Sequence, residues 1–424
     1  GFIPALLVYG LFVASAALQF VLAKLLFNWL KLGKLLTSLR LPVAWVLVAL
    51  FLPRIFPWHF AHSMSGFLPL AQVADIAGAP FLSFVLLWFG SSLVHKLTAK
   101  GNMPLALSSV ALLLSFLYGQ VRLQQFQNVH APLIDSAIVQ ANISINDKHK
   151  VKYFEKNTAR YVELTRNALE DASELLVVWP ESVYLDWVHV DTSHISQDPR
   201  LPFFGPQANL LMGALSFESQ ERVFNSVFGI GQDGSISSPY HKQILMPFGE
   251  YMPFSGLFPW IKDFNPGAGN FTAGSSLKLI SFKQNEVSYS VAPLICYEDV
   301  VPSMARDAVA LGADLLVNQT NDAWFGQTLA PFQHHQIAVF RAIETRRTLI
   351  RSTNSGLTAI VQPTGYTSAQ LPTFSEAVLR SPVSLQTEHS LFVRGGSLIF
   401  QWFVVLISVF GVLANLLSNL ASKQ

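Results

Sequence analysis

Apolar and polar positions alternate by different rules in different parts of the chain. Residues 2–23 ("FIPALLVYGLFVASAALQFVLA") form an unbroken apolar run without charge, long enough for the roughly 20 residues that cross a bilayer. Further runs lie at 77–94 ("AGAPFLSFVLLWFGSSLV"), 103–119 ("MPLALSSVALLLSFLYG") and 397–417 ("SLIFQWFVVLISVFGVLANLL"). A shorter one, 41–53 ("LPVAWVLVALFLP"), stops at Arg54; it is short for a span, and a buried core helix competes more strongly here than in the other runs, but it is counted as the second span. Between about 130 and 390 the pattern changes. Short β-branched runs recur: "SAIVQANI" (136–143), "ELLVVWPES" (174–182), "NLLMGALSF" (209–217), "VFNSVFGIG" (223–231), "SYSVAPLICYE" (288–298), "ADLLVNQTN" (313–321) and "LTAIVQP" (357–363). Helical patterns at 152–171, 300–311 and 332–347 separate some of them. Strands alternating with helices predict an α/β sandwich.

The expected organisation is a transmembrane region over 1–119 with about four spans, a globular domain over 120–396, and a last span within 397–424. Lys24, Lys31, Lys34 and Arg40 follow the first run, Lys96 and Lys100 lie between the third and fourth, and Lys423 follows the fifth. Basic residues collect on the cytoplasmic side. Five alternating spans then place loop 54–76 and the globular domain on the outer face. Gly1 falls on the outer side without a basic region before it, so the chain is expected to start partway through a larger membrane domain. The loop 252–274 is rich in Pro, Gly and aromatics. Its Phe254, Phe258 and Trp260 either dip into the membrane, cover a site or pack on the domain.

Composition agrees with a membrane protein: 51% hydrophobic and 13% charged residues, with mean hydropathy +0.38. A net charge of +2 is too small to suggest a nucleic-acid partner, and no basic–aromatic stripe supports one. No His/Cys/Asp cluster has metal-ligand spacing, "GIGQDG" (229–234) reads as a turn between strands, and no cofactor is implied.

Chemistry collects where apolar strands end, which is where open α/β sheets build their sites. Glu181 follows "LLVVWP", Cys296 follows "VAPLI", and Asn321 and Asp322 follow "LLVNQT". Lys242 and Glu250 lie in "SPYHKQILMPFGEYMP" (238–253). Cys296 is the single cysteine, so it is either a small buried hydrophobe or a nucleophile. His334 and His335 ("FQHHQ") read as helix packing or a solvated face. Glu181 is then the leading base for a thiol, and a lysine would favour the thiolate and a tetrahedral oxyanion. Glu, Lys and Cys together suit acyl transfer through a thioester.

The motifs "VVWPES", "YHKQILMPFGEYMP", "PLICYED", "NQTNDAWFG" and "RSTNSGLTAIVQPTG" resemble those of the nitrilase, or carbon–nitrogen hydrolase, superfamily. With "FPWHFAHSM" (56–64) and the flanking spans they look most like its membrane-bound, lipoprotein-acylating branch. The resemblance implies a nitrilase-like αββα sandwich inserted between transmembrane helices, with Glu181, Lys242 and Cys296 as catalytic triad. It further implies Glu250 as an additional essential carboxylate, and Tyr297 and Glu298 as supports of the nucleophile. The implied reaction takes an acyl chain from the sn-1 ester of a phospholipid onto Cys296. It then passes the chain to the α-amine of an S-diacylglyceryl-cysteine on a lipoprotein, at the periplasmic face of a bacterial inner membrane. The sequence departs from the pattern at Ala141, Ser144 and His149, where the family carries Gly, Pro and Trp, and at Ile244, where it carries His. Two other readings use the same residues: a membrane-anchored nitrilase-type amidase in which water or another amine accepts the acyl group, and a non-catalytic binding protein on the same scaffold.

Overall fold

The structure, a computed structural model, describes residues 2–32, 34–98, 101–127, 131–171, 174–253, 255–260 and 269–421. Expectations resting on Gly1, Lys100, Phe254 and Lys423 lie outside the described residues. The chain forms two compact units, Gly1–Asn128 with Ser390–Gln424, and Val129–His389.

Among the described residues of the first unit, four helices are long and apolar enough to cross a membrane: Tyr9–Trp29, Ala79–Thr98, Met103–Phe126 and Phe392–Leu417. The fifth expected run forms a helix of 12 residues, Arg40–Phe51. At 1.5 Å per residue that is about 18 Å, short of a hydrocarbon core of ~30 Å. Its end is set locally. Pro53 cannot continue the ladder, and Arg54 turns back to donate Nη2 to the Ala49 carbonyl at 3.2 Å and Nη1 to that of Trp58 at 2.8 Å. Val43, Ala44 and Val46 of this helix are buried with Leu30, Phe84, Phe400 and Val404. The long helices keep residues such as Leu11 and Trp402 exposed. Asp75, buried in the same unit, accepts from Tyr118 at 2.7 Å and from Arg122 at 2.9 Å.

The second unit holds two sheets. The first contains β1 (Leu133–Gln140), β2 (Leu175–Val178), β3 (Tyr184–His189), β4 (Ala208–Phe217), β5 (Val223–Ile230), β6 (Tyr240–His241) and β13 (Ala377–Ser384), in order β13-β1-β2-β4-β5-β6 with β3 also on β4. The second contains β7 (Ile280–Gln284), β8 (Val287–Ile295), β9 (Leu315–Thr320), β10 (Thr348–Thr353), β11 (Ala359–Val361) and β12 (Thr367–Gln370), in order β12-β11-β10-β9-β8-β7. Strand alternation produces the layers. Ile134 and Ile138 of β1 face the gap between the sheets, where they meet Val291, Leu315, Val317 and Ile350. Ala137 and Val139 face the other way, onto Tyr161, Ala168 and Leu169 of helix Phe154–Leu169. Helices Pro302–Ala310 and Ala330–Thr345 pack on the second sheet through β8 and β10. The result is the expected αββα sandwich. Within the first sheet β1 pairs parallel with β2 and β2 with β4, and within the second β9 pairs parallel with both β8 and β10, so that β2, β8 and β9 each end in a loop that carries site residues.

Candidate active site

Cys296 stands directly after the buried strand β8, with φ +49°. A non-glycine residue in the left-handed region costs about 1–3 kcal/mol and persists where its surroundings hold it. Asn318 Nδ2 donates to the carbonyls of Leu294 and Cys296, both at 3.0 Å. Glu298, fully buried, accepts from Ile295 N at 2.7 Å and Tyr240 Oη at 2.8 Å through Oε2, and from Gln243 N at 2.7 Å and Ile244 N at 3.2 Å through Oε1. One carboxyl group therefore joins the cysteine turn to the lysine strand. Burial raises its pKa to about 7 against the pull of those donors. Tyr297 is also buried.

Glu181 ends β2 through Pro180, and Ser182 after it has φ +49°. Its Oε1 accepts from Asn225 Nδ2 at 2.8 Å and lies 3.3 Å from Lys242 Nζ, while Oε2 accepts from Asn321 N at 3.1 Å. Lys242 Nζ lies 2.8 Å from Glu250 Oε2, whose Oε1 accepts from the same Asn225 nitrogen at 3.0 Å. Burial opposes the Lys242 charge, yet Glu181, Cys296 and Glu250 outweigh it and raise the pKa. The Cys296 thiol is pushed up by burial and by Glu181, and Lys242 offsets this only in part. At neutral pH the resting sulfur is a thiol, and its thiolate has to arise by proton transfer to a neighbour. Glu181 is the carboxylate suited to receive that proton.

The structure thus brings Glu181, Lys242, Glu250, Cys296 and Glu298 into one constellation. It adds residues that sequence reasoning missed. Asn225 bridges both carboxylates from the middle of β5. Lys148 is buried, donates to the Glu181 carbonyl at 2.9 Å, and lies within electrostatic reach of Glu181 and Cys296; burial lowers its pKa to about 8. The available signal was its place just beyond "SAIVQANI", another strand end. Behind the cysteine turn lies a buried ion network. Arg351 pairs with Asp299 at 2.5 Å and Asp322 at 3.4 Å, and His334 contacts the same two carboxylates at 2.7 and 3.2 Å. His335 points elsewhere, to Thr367 at 3.1 Å.

The departing positions are accounted for locally. Ala141 is buried, Ser144 caps Asn146 N at 3.3 Å, His149 lies 5.8 Å from the Trp324 ring, and Ile244 is held through its backbone by Glu298. Leu257, Phe258 and Trp260 are exposed. Among the described residues no group of three or more His, Cys, Asp or Glu is placed to hold a metal ion.

A strand-end cysteine facing a carboxylate and a buried lysine on an αββα sandwich defines a class, and residues 136–391 match the carbon–nitrogen hydrolase family model. The chain belongs to that family. Within it, the relatives are apolipoprotein N-acyltransferases: that of Geobacter metallireducens is 33% identical over 366 residues, covering 84% of this chain and 69% of the relative. That of Shewanella oneidensis is 30% identical over 353 residues, covering 80% and 66%. The chain therefore spans about two thirds of the length of these relatives. Among solved structures, Nit3 of Saccharomyces cerevisiae, a nitrilase-superfamily member, is 17% identical over 59% of this chain and 90% of its own, with a TM-score of 0.42.

Proposed function

We propose that this chain acylates lipoproteins by passing a fatty acyl group from a phospholipid through Cys296. The observation that carries the reading is the meeting of Glu181, Lys242 and Cys296 in a chain with four membrane-length apolar helices. Glu181 takes the thiol proton, and the thiolate attacks the sn-1 ester carbonyl of a phospholipid such as phosphatidylethanolamine. Lys242, kept charged by Glu250, stabilises the oxyanion. Collapse expels the lysophospholipid alkoxide, which takes the proton back from Glu181, and leaves a thioester. The neutral α-amine of a diacylglyceryl-cysteine then attacks. Glu181 accepts its proton and returns it to the departing Cys296 sulfur, so the enzyme ends as it began.

Both substrates carry acyl chains anchored in a bilayer, which matches a catalytic unit joined to apolar helices. Lys96, at the end of Ala79–Thr98 that leads into Met103–Phe126, supports an outward-facing catalytic unit at a bacterial inner membrane, because Met103–Phe126 then leads from the inner face to that unit. Labelling Cys296, the single cysteine, with a membrane-impermeant maleimide in spheroplasts tests this; protection of the thiol until lysis reverses the orientation.

Intact mass after incubation with phosphatidylethanolamine micelles tests the chemistry. The expected result is a gain of one acyl mass, absent in Cys296→Ala and discharged by a diacylglyceryl-cysteine peptide. Discharge by water at the same rate makes the enzyme an amidase-type hydrolase. A folded protein without any adduct overturns the acyl-transfer reading.

A further inference from the structure

Lys148 is a buried ammonium that the acyl-transfer scheme does not use. It closes a four-residue helix, Ile145–Lys148, and its backbone N bonds to the Ser144 carbonyl at 2.9 Å. The loop before it is held by Asn354, which accepts from Ile143 N at 2.9 Å, donates to the Ile143 carbonyl at 2.7 Å, and donates to Asn321 Oδ1 at 3.2 Å. Asn321 in turn donates its N–H to Glu181 Oε2. Lys148 completes this ring of loops with its bond to the Glu181 carbonyl.

An ammonium carries three donors, and burying it is costly unless anions or acceptors compensate. The Glu181 carbonyl takes one. The charged groups facing Lys148 are the Glu181 carboxylate and the Cys296 sulfur, with the half-buried His149 beside it. Those facing Cys296 are Glu181, Lys242 and Asp322, with the Thr320 hydroxyl as hydrogen-bond partner. While the sulfur is a thiol, Lys148 has one strong anion. Once the proton moves to Glu181, the negative charge moves to the sulfur, still within reach of the same ammonium.

We infer that Lys148 is a second cation of this site, a positioning residue that pins the Glu181 turn and stabilises the Cys296 thiolate formed on proton transfer. The inference rests on the acyl-transfer reading for its purpose, but thiolate formation is measurable without any lipid. Burial lowers the Lys148 pKa to about 8, below the range in which the thiol ionises outright, so its help is expected to end on the alkaline side.

The test is the rate of Cys296 alkylation by iodoacetamide against pH, followed by intact mass on the detergent-solubilised full chain. The wild type is expected to show an inflection near pH 8, its rate falling as Lys148 is neutralised. Lys148→Met is expected to react on the order of tenfold more slowly at pH 7, with no inflection. Lys148→Arg keeps the neutral-pH rate and also loses the inflection, since guanidinium does not titrate there. This comparison holds even if Lys148→Met does not fold. Superimposable wild-type and Lys148→Arg profiles, or a folded Lys148→Met matching the wild type, overturn the inference. Thioester formation by the wild type is assayed in parallel: its absence removes the acyl-transfer reading and leaves the alkylation result standing.

Discussion

Lys242 Nζ lies closer to Glu250 than to Glu181, at 2.8 Å against 3.3 Å. The division matters because Glu181 has to exchange a proton, whereas the lysine has to stay charged. Glu250 holds the ammonium, and Asn225 Nδ2 bridges the two carboxylates. Glu250→Gln removes the nearer anion, and Lys242 should close on Glu181, making it a poorer base. Thioester formation should fall by roughly one to two orders of magnitude. Breaking a buried pair should also cost about 3 kcal/mol, read as a lower unfolding midpoint. Unchanged acylation would mean that Glu250 is structural.

Glu298 uses both oxygens to tie the Ile295–Cys296 turn to the Tyr240–Ile244 segment. Glu298→Gln keeps the shape but turns an N–H2 group toward two donors. An unsatisfied buried donor costs about 1–3 kcal/mol. The variant should unfold earlier and lose acylation together, and iodoacetamide should reach Cys296 without the wild-type pH profile. A variant with normal acylation would show that the nucleophile turn holds without this link.

Much of this site was legible in the sequence, because Glu181, Cys296 and Asn321 stand where apolar strands stop. Lys242 and Glu250 were found through their motif. What stayed hidden was polar chemistry inside apolar elements. Asn225 sits mid-strand in "VFNSVFGIG", where a single polar residue looks like a solvent-facing position. The helical pattern 332–347 runs straight into the buried strand β10, which no recurring apolar run marked, and Arg351 on it meets Asp299 from 52 residues away. Long-range pairs leave no local period. The same limit applies to β13, whose pairing with β1 joins Ser136 to Ser381 across 245 residues. Residues 41–53 are counted as a span despite their shortness, and the helix they form ends at Phe51, before Pro53 and Arg54.

The buried histidine behind the nucleophile should make stability depend on pH. Burial and Arg351 oppose the His334 charge, but Asp299 and Asp322 outweigh them and raise its pKa from 6.5 to about 9. A histidine raised on folding contributes stability that is complete below the unfolded value and lost as pH rises through the folded one. The loss should therefore run between about pH 6.5 and 9 and amount to roughly 3 kcal/mol. Lys148 titrates at the upper edge of that window, so the informative quantity is the difference between wild type and His334→Gln. Thermal midpoints should converge by about pH 9, with wild type higher at pH 6. Parallel curves across the window would show that the imidazole is neutral in its network.

Gly213 tests how tightly the Glu181 turn is held. It lies on β4 beneath that turn, and its carbonyl accepts from Val183 N at 2.9 Å. A Cβ added there would meet the Pro180 carbonyl oxygen at 2.2 Å and Glu181 Cα and Ser182 N at 2.9 Å. These are backbone atoms, so no side chain can rotate out of the way. Gly213→Ala must lift the turn, at an overpacking cost of about 1–3 kcal/mol. Lifting it moves the Glu181 carboxylate away from Lys242 and strains its bond to Asn321 N, while β8 and Cys296 stay in place. The expected outcome is a folded protein that alkylates poorly at neutral pH and forms thioester at least tenfold more slowly. Full acylation with a lowered unfolding midpoint would show instead that the turn relaxes without displacing the base, and that its geometry is less restrictive than the contacts around Ser182 imply.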